Sequence, residues 1–206
     1  MKLSCFWTHA KGFTTLELTI GLSLTVLFAT SFYTAFQVMN TEMWRNRMYF
    51  DTNTSAKNVM DRVAKDVEEA VSVVASYGGN TTSNTCLILK LPTVDNSGIP
   101  TSITGQFDYV TYKINPSDST QLFRSLDVLN GTSQREGGAD TTNIVMARRV
   151  NSILFSYAGT NLSSVSSATI PTMKYINVQI TTQGTTLGAN QQSQVDSDLM
   201  LRNNIT

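Results

Sequence analysis

The sequence predicts an α+β protein: one long N-terminal helix packed on an antiparallel β-sheet domain. Three observations carry this. Residues 18 to 41 contain no charged side chain. Apolar residues between 56 and 74 recur at helical spacing. From Thr85 onward the pattern changes to short apolar or alternating runs separated by Ser-, Thr-, Asn- and Gly-rich turns.

The uncharged stretch comes first. At about 1.5 Å rise per residue, a helix of this length crosses a hydrocarbon layer of about 30 Å. Thr19, Ser23, Thr25, Thr30, Ser31 and Thr34 lie inside it. In a helix their hydroxyls can bond back to carbonyls of the preceding turn, which lowers their cost in lipid. Ahead of it stand Lys2, Lys11 and one acid, Glu17.

A secretory signal peptide would use Lys2 and Lys11 as its basic region and a small-residue site near Ala35. The pre-apolar segment is long and acidic at Glu17, and the apolar run is longer than usual, which argues against that. A plain membrane anchor would hold the N-terminus in the cytoplasm through Lys2 and Lys11. That leaves Glu17 unexplained. Ionised and alone in hydrocarbon, a carboxylate costs several kcal/mol, so it needs a cation or a helix N-terminus. Thr14-Thr15-Leu16-Glu17 also fits a capping box, with Thr14 as N-cap and Glu17 at the third helical position.

The helix is expected to continue beyond the membrane to about residue 76. Ala56, Val59, Met60, Val63, Ala64, Val67, Ala70, Val71 and Val74 form its apolar stripe. Lys57, Asp61, Arg62, Lys65, Asp66, Glu68 and Glu69 fill the other positions and read as solvated charge, with Asp61/Lys65 and Arg62/Asp66 as i, i+4 pairs. DTNTS at 51–55 marks a weak spot where a bend or break is expected, and GGN at 78–80 ends the helix.

Six strands follow. CLILKL (86–91) is a buried-type run. FDYVTYKI (107–114) alternates and leads through an NPSD turn into its hairpin partner QLFRSLDV (121–128). IVMARRVNSILFSYA (144–158) is too long for one straight strand and should bend or bulge near Asn151. YINVQITTQ (175–183) alternates, and SDLMLRNNI (197–205) comes last. NTTSN, TVDNSGIPTSITG, NGTSQREGGADTT and GTNLSSVSSATIP read as loops. Behind the N-terminal segment, domain organisation is therefore a transmembrane helix reaching residue 41 and a globular domain at 42–206.

The stretch KGFTTLEL resembles the class III signal of type IV prepilins and type II secretion pseudopilins. It has a short basic leader, a glycine, an aromatic, an acid four residues later and an uncharged helix behind. The resemblance implies that a membrane aspartyl prepilin peptidase cuts between Gly12 and Phe13 and methylates the new N-terminal Phe13, which makes 1–12 a leader peptide and 13–41 the transmembrane and assembly helix. Glu17 becomes the fifth mature residue. In that family the acid pairs with the N-terminal amine of a neighbouring subunit and sets the axial register of assembly.

Val110-Thr111-Tyr112-Lys113-Ile114, Leu122-Phe123-Arg124, Leu154-Phe155-Ser156-Tyr157 and Leu201-Arg202-Asn203 are similar to segments of the larger members, the J-type minor pseudopilins and W-type minor pilins. The implied fold is pilin-like. The implied partners are other pilin or pseudopilin subunits, the peptidase, an inner-membrane assembly platform driven by ATPase motors, and membrane lipid. The implied place is the bacterial inner membrane, single-pass with the N-terminus cytoplasmic, and then a pilus or pseudopilus at its tip or initiating complex. Two features depart from many major pilins: a Cys pair near the C-terminus and a helix proline are both missing.

Composition narrows the remaining choices. The 206 residues carry 15 basic and 15 acidic side chains, and Arg148-Arg149 is the one basic pair, so no nucleic-acid footprint is expected. The only His is His9 and the only Cys are Cys5 and Cys86, which excludes Ser-His-Asp, Cys-His and Cys/His zinc chemistry once the leader is gone. Cys86 reads as a small buried hydrophobe. Asp196/Asp198 and Asp66/Glu69 are acid pairs in the sense of acid–base chemistry but read as solvated charge. GGAD (137–140) and DNSG (95–98) resemble pseudopilin calcium loops but carry too few acids for a full shell. No catalytic, cofactor-binding or metal residue is expected, and no enzyme activity. The competing expectation is a membrane-anchored or secreted β-rich adhesin whose Ser/Thr/Asn loops contact a ligand.

Overall fold

The computed structural model describes residues 12–101, 105–129, 133–186 and 189–201. Residues 1–11, with Lys2, Cys5, His9 and Lys11, and residues 202–206, with Arg202 and Asn203, lie outside this set. The chain forms two compact units, one up to Trp44 and one from Arg45 onward. Helix α1 (Thr15–Glu69) contributes to both.

In the first unit α1 is long and apolar enough to cross a membrane, and none of that stretch is buried within the chain. Leu16, Phe28 and Phe32 are all exposed. The hydroxyls behave as expected: Ser23 donates to the Thr19 carbonyl at 2.8 Å, Thr25 to Gly21 at 2.8 Å, Ser31 to Leu27 at 2.8 Å and Thr34 to Thr30 at 3.0 Å. Each of these hydroxyls is thereby satisfied inside the helix, as a segment without water requires.

The second unit is built from α1 after Arg45 and two main antiparallel sheets. Strands β1 (Ser72–Val73), β4 (Cys86–Pro92), β5 (Phe107–Asn115), β6 (Asp118–Asp127) and β7 (Thr141–Ala147) lie in that spatial order in the first sheet. Strands β8 (Val150–Tyr157), β9 (Thr160–Asn161), β10 (Tyr175–Thr186) and β11 (Ala189–Met200) form the second, in the order β11-β10-β8-β9. A small hairpin joins β2 (Ser76–Tyr77) to β3 (Asn80–Thr81). One apolar cluster draws Ala56, Val59, Val63 and Val67 of α1 together with Leu87, Leu89 and Leu122 of the first sheet and Phe155, Ile176 and Val178 of the second. Each such side chain taken fully out of water contributes roughly 1.5–3 kcal/mol.

The α+β arrangement and the antiparallel strands agree with the sequence reading, and four details differ. The helix ends at Glu69, not near residue 76. Val71, Ser72, Val73 and Val74 are mostly β-branched, and they add to the edge of β4: Val71 N–H bonds Lys90 O at 2.8 Å and Val74 N–H bonds Ile88 O at 2.9 Å. GGN instead makes the β2–β3 turn, where Gly78 and Gly79 both take left-handed φ of 55° and 76°.

Residues 51–55 do not break the helix. They are docked: Thr52 is buried, its carbonyl accepts from the Thr182 hydroxyl at 3.0 Å, and Asn53 Oδ1 accepts from Ser193 Oγ at 3.1 Å.

The 144–158 run divides at Arg148-Arg149 into β7 and β8, which belong to different sheets, so the expected single sheet is two, and in place of the six expected strands the described residues form seven long ones besides the short pairs. The bulge expected near Asn151 is present. Ser152 pairs with Thr181 and Val150 with Thr182, leaving Asn151 as the extra residue. Finally, β11 begins at Ala189, well before the expected 197, because its Gln- and Ser-rich start follows β10 through a twelve-pair ladder.

Candidate functional site

The residues expected from the sequence to act in processing and assembly lie at the start of α1. Gly12, Phe13 and Thr14 precede the helix, and Phe13 is 85% exposed. No atom would crowd a Cβ placed on Gly12, so that glycine is not demanded by packing. Thr14 is the N-cap. Its N–H and its hydroxyl both donate to Glu17 Oε2 at 3.0 Å, and Glu17 N–H donates to Thr14 Oγ1 at 3.2 Å. This is a complete capping box, which satisfies orphan donors of the first turn. Glu17 is exposed. The structure thus brings Gly12, Phe13 and Glu17 together on one open segment.

The second notable site was not anticipated. Asp66 and Arg124 are only 2% and 3% exposed. Arg124 Nε donates to Asp66 Oδ2 at 2.8 Å, and the Tyr112 hydroxyl donates to the same oxygen at 2.6 Å. Arg124 Nη1 reaches Glu136 Oε2 at 3.0 Å, and Arg62 pairs with Glu136 and stands 3.7 Å from Asp66. A parallel clamp lies beside it. Arg135 Nε donates to fully buried Asp108 at 3.1 Å, Nη1 to Glu69 at 2.5 Å and Nη2 to the Pro92 carbonyl at 2.9 Å, while Ser133 Oγ donates to Asp108 at 2.7 Å.

Burial raises the Tyr112 hydroxyl well above its ordinary range, and the Asp66 carboxylate adds to this. For Arg124 burial works against the charge, but Asp66 and then Tyr112 outweigh it and the guanidinium is held more firmly protonated. The expectation of solvated charge is therefore corrected for Asp66, whereas the Glu69 side chain stays 34% exposed and pairs with Arg135. Asp66 faces the interior because the turn of α1 that carries it is covered by the 133–137 segment and β6.

The other candidate groups are used locally. Asp196 and Asp198 both accept from Asn177 Nδ2, at 2.9 and 3.1 Å, on the exposed face of β10–β11. Asp95 Oδ1 accepts the N–H groups of Ser97 and Ile99, and Asp140 Oδ1 accepts that of Val128, so each carboxylate of the two suspected calcium loops holds backbone. Among the described residues no group of three His, Cys, Asp or Glu side chains is arranged to hold a metal ion. Cys86 is a half-buried free thiol; burial raises its pKa and Lys113 opposes that in part. Comparison with family models, with curated proteins and with solved structures gives no match.

Proposed function

We propose that this protein is a minor pilin or pseudopilin, a structural subunit that helps to initiate or cap a type IV pilus or type II secretion pseudopilus. Prepilin peptidase cuts between Gly12 and Phe13 and methylates Phe13. Residues 18–41 hold the subunit in the inner membrane with the N-terminus cytoplasmic and the β-rich unit outside. The assembly platform then extracts it into a fibre, where Glu17 pairs with the Phe13 amine of a neighbouring subunit. The function is structural, not enzymatic.

The observation that carries this reading is the conjunction at one short segment. An unhindered Gly12 and an exposed Phe13 precede the helix, and Glu17 sits in the first turn with a face still open. The helix behind has an uncharged surface whose hydroxyls are internally bonded. A peptidase needs extended, accessible backbone, which glycine supplies. A helix leaving lipid for protein surroundings benefits from polar groups that are already satisfied.

Intact mass of the membrane-extracted protein tests it. The expected mass is that of residues 13–206 plus one methyl group. Any other mature N-terminus overturns the reading.

A further inference from the structure

The step from β7 to β8 is made by Arg148 and Arg149. Arg149 has φ of 63°, the left-handed region where glycine is at ease and a side chain is not. Its carbonyl accepts the Gln183 N–H at 2.8 Å, which fixes that conformation. A position that glycine would fill without strain therefore holds an arginine, and the backbone gives no reason for the choice.

The side chain gives one. Arg149 stands on the wall shared by two open grooves. The first, about 410 Å³, runs between Asp51, Thr52 and Ser55 of α1 and residues 145–149. The second, about 420 Å³, is bounded by Thr120, Asn151, Gln183 and Thr185. Both arginines are exposed, and among the described residues neither forms an ion pair. The polar contact of Arg149 is its Nη1 on the Met48 sulfur at 2.9 Å.

That contact fixes which part of the chain the corner faces. Met48 lies in the segment 42–51, which also carries Arg45 and Arg47, with Glu42 and Asp51 as its acids. Four arginines against two acids leave a net charge of +2 over 42–51 and 148–149. Tyr49 and Phe50, in the same segment, are 46% and 65% exposed. Exposed aromatics interleaved with arginines are the composition of a membrane–water interface. Arg45 follows the last uncharged residue, Thr41, by four positions, so even a fully extended chain keeps it within about 14 Å of that point.

We propose that Arg148 and Arg149, beside the segment that carries Arg45 and Arg47, form a docking surface for the phosphates of anionic lipid headgroups. It holds the β7–β8 corner against the bilayer that residues 18–41 enter. This rests on the reading of residues 18–41 as a membrane span. Docking is electrostatic: each arginine near an anionic surface favours the docked state roughly fivefold at low salt, and the effect fades as the Debye length shrinks. The surface would keep the second unit seated until assembly pulls the subunit out of the membrane.

The test uses the full chain in lipid nanodiscs, with Cys5→Ser, Cys86→Ser and a bimane fluorophore on Asn151→Cys. Headgroups carry a nitroxide quencher, and discs are either zwitterionic or about 30% phosphatidylglycerol, a content at which surface potential attracts basic segments. Strong quenching is expected in the anionic discs at low salt. Arg148→Gln or Arg149→Gly should each reduce the docked-to-undocked ratio by roughly fivefold. Arg149→Gly suits the left-handed backbone, so its thermal unfolding should not fall, which separates lost docking from lost folding.

Quenching that is equal in both lipids, or unmoved by both substitutions, overturns docking and leaves the span intact. A chain that does not insert into discs overturns the span and docking together. Inorganic phosphate should release the fluorophore no better than sodium chloride of equal ionic strength. Stronger release by phosphate marks a free-phosphate site and overturns the lipid assignment.

Discussion

Asp66 and Arg124 form a charge pair removed from water, and such pairs are asymmetric in their energetics. Removing one partner strands the other, at a cost of about 3–5 kcal/mol, whereas removing both is far milder. Arg124→Met is therefore expected to lower unfolding free energy by about 3–5 kcal/mol, and Asp66→Leu with Arg124→Met to lose less than the sum of the single changes by at least about 1 kcal/mol. Urea denaturation of the four-member cycle measures this; additivity would mean that the pair is not coupled.

The pair could have been read in the sequence. Val110 and Tyr112, and Leu122, Arg124 and Leu126, follow a period of two, which puts Arg124 on the apolar face of its strand. Asp66 follows Val59 and Val63 at helical spacing, which puts it on the buried stripe of α1. Assigning charge to solvent by residue type overrode the phase of the pattern. Glu136 and Arg135 were harder to see, because their loop has no period and only tertiary structure brings them to the pair.

Between α1 and β10 the limiting contact is a glycine. A Cβ on Gly184 would lie 2.6 Å from Met48 Cγ, 2.7 Å from its sulfur and 3.2 Å from Thr52 Cγ2. The close approach lets the Thr182 hydroxyl reach the Thr52 carbonyl, so a polar stretch of helix can sit on a polar stretch of strand. Gly184→Ala overfills this contact and is expected to cost about 1–3 kcal/mol. Met48→Ala in the same chain should recover part of it, as compared by thermal unfolding of the single and double variants. An uncompensated double variant would locate the cost in the strand instead.

Here the sequence misled in an instructive way. DTNTS looked like a helix breaker because its propensity is poor, yet tertiary hydrogen bonds override propensity. The helix end at Glu69 was missed for the opposite reason. Val71, Val73 and Val74 continue the apolar content but follow strand geometry, and the β4 edge that recruits them is not visible locally.

Taken as a molecule, the chain separates two kinds of surface. The unit from Arg45 buries its apolar residues in one cluster fed by both sheets, while the earlier part of α1 leaves Leu, Phe and Val side chains uncovered. Such exposure is compatible with a membrane anchor, and under the proposed function lipid and then other subunits would cover it. Under the proposed function Glu17 is the residue on which those surroundings would act, through two physical roles that Glu17→Ala would remove together. It completes the capping box with Thr14, and its negative charge is available to a cation from another chain.

Glu17→Gln separates them, because glutamine also closes a capping box while carrying no charge. If the cap is what matters, Gln should behave as wild type and only Glu17→Ala should fail, by the roughly 1 kcal/mol that a lost cap costs. If pairing with the Phe13 amine of a neighbour is what matters, Gln and Ala should be equally defective. Under the proposed function the second outcome is expected: both variants processed at Gly12, both retained in the membrane, and both depleted from sheared fibres. Wild-type incorporation of Glu17→Gln would reduce Glu17 to a helix cap and remove the charge from the assembly mechanism.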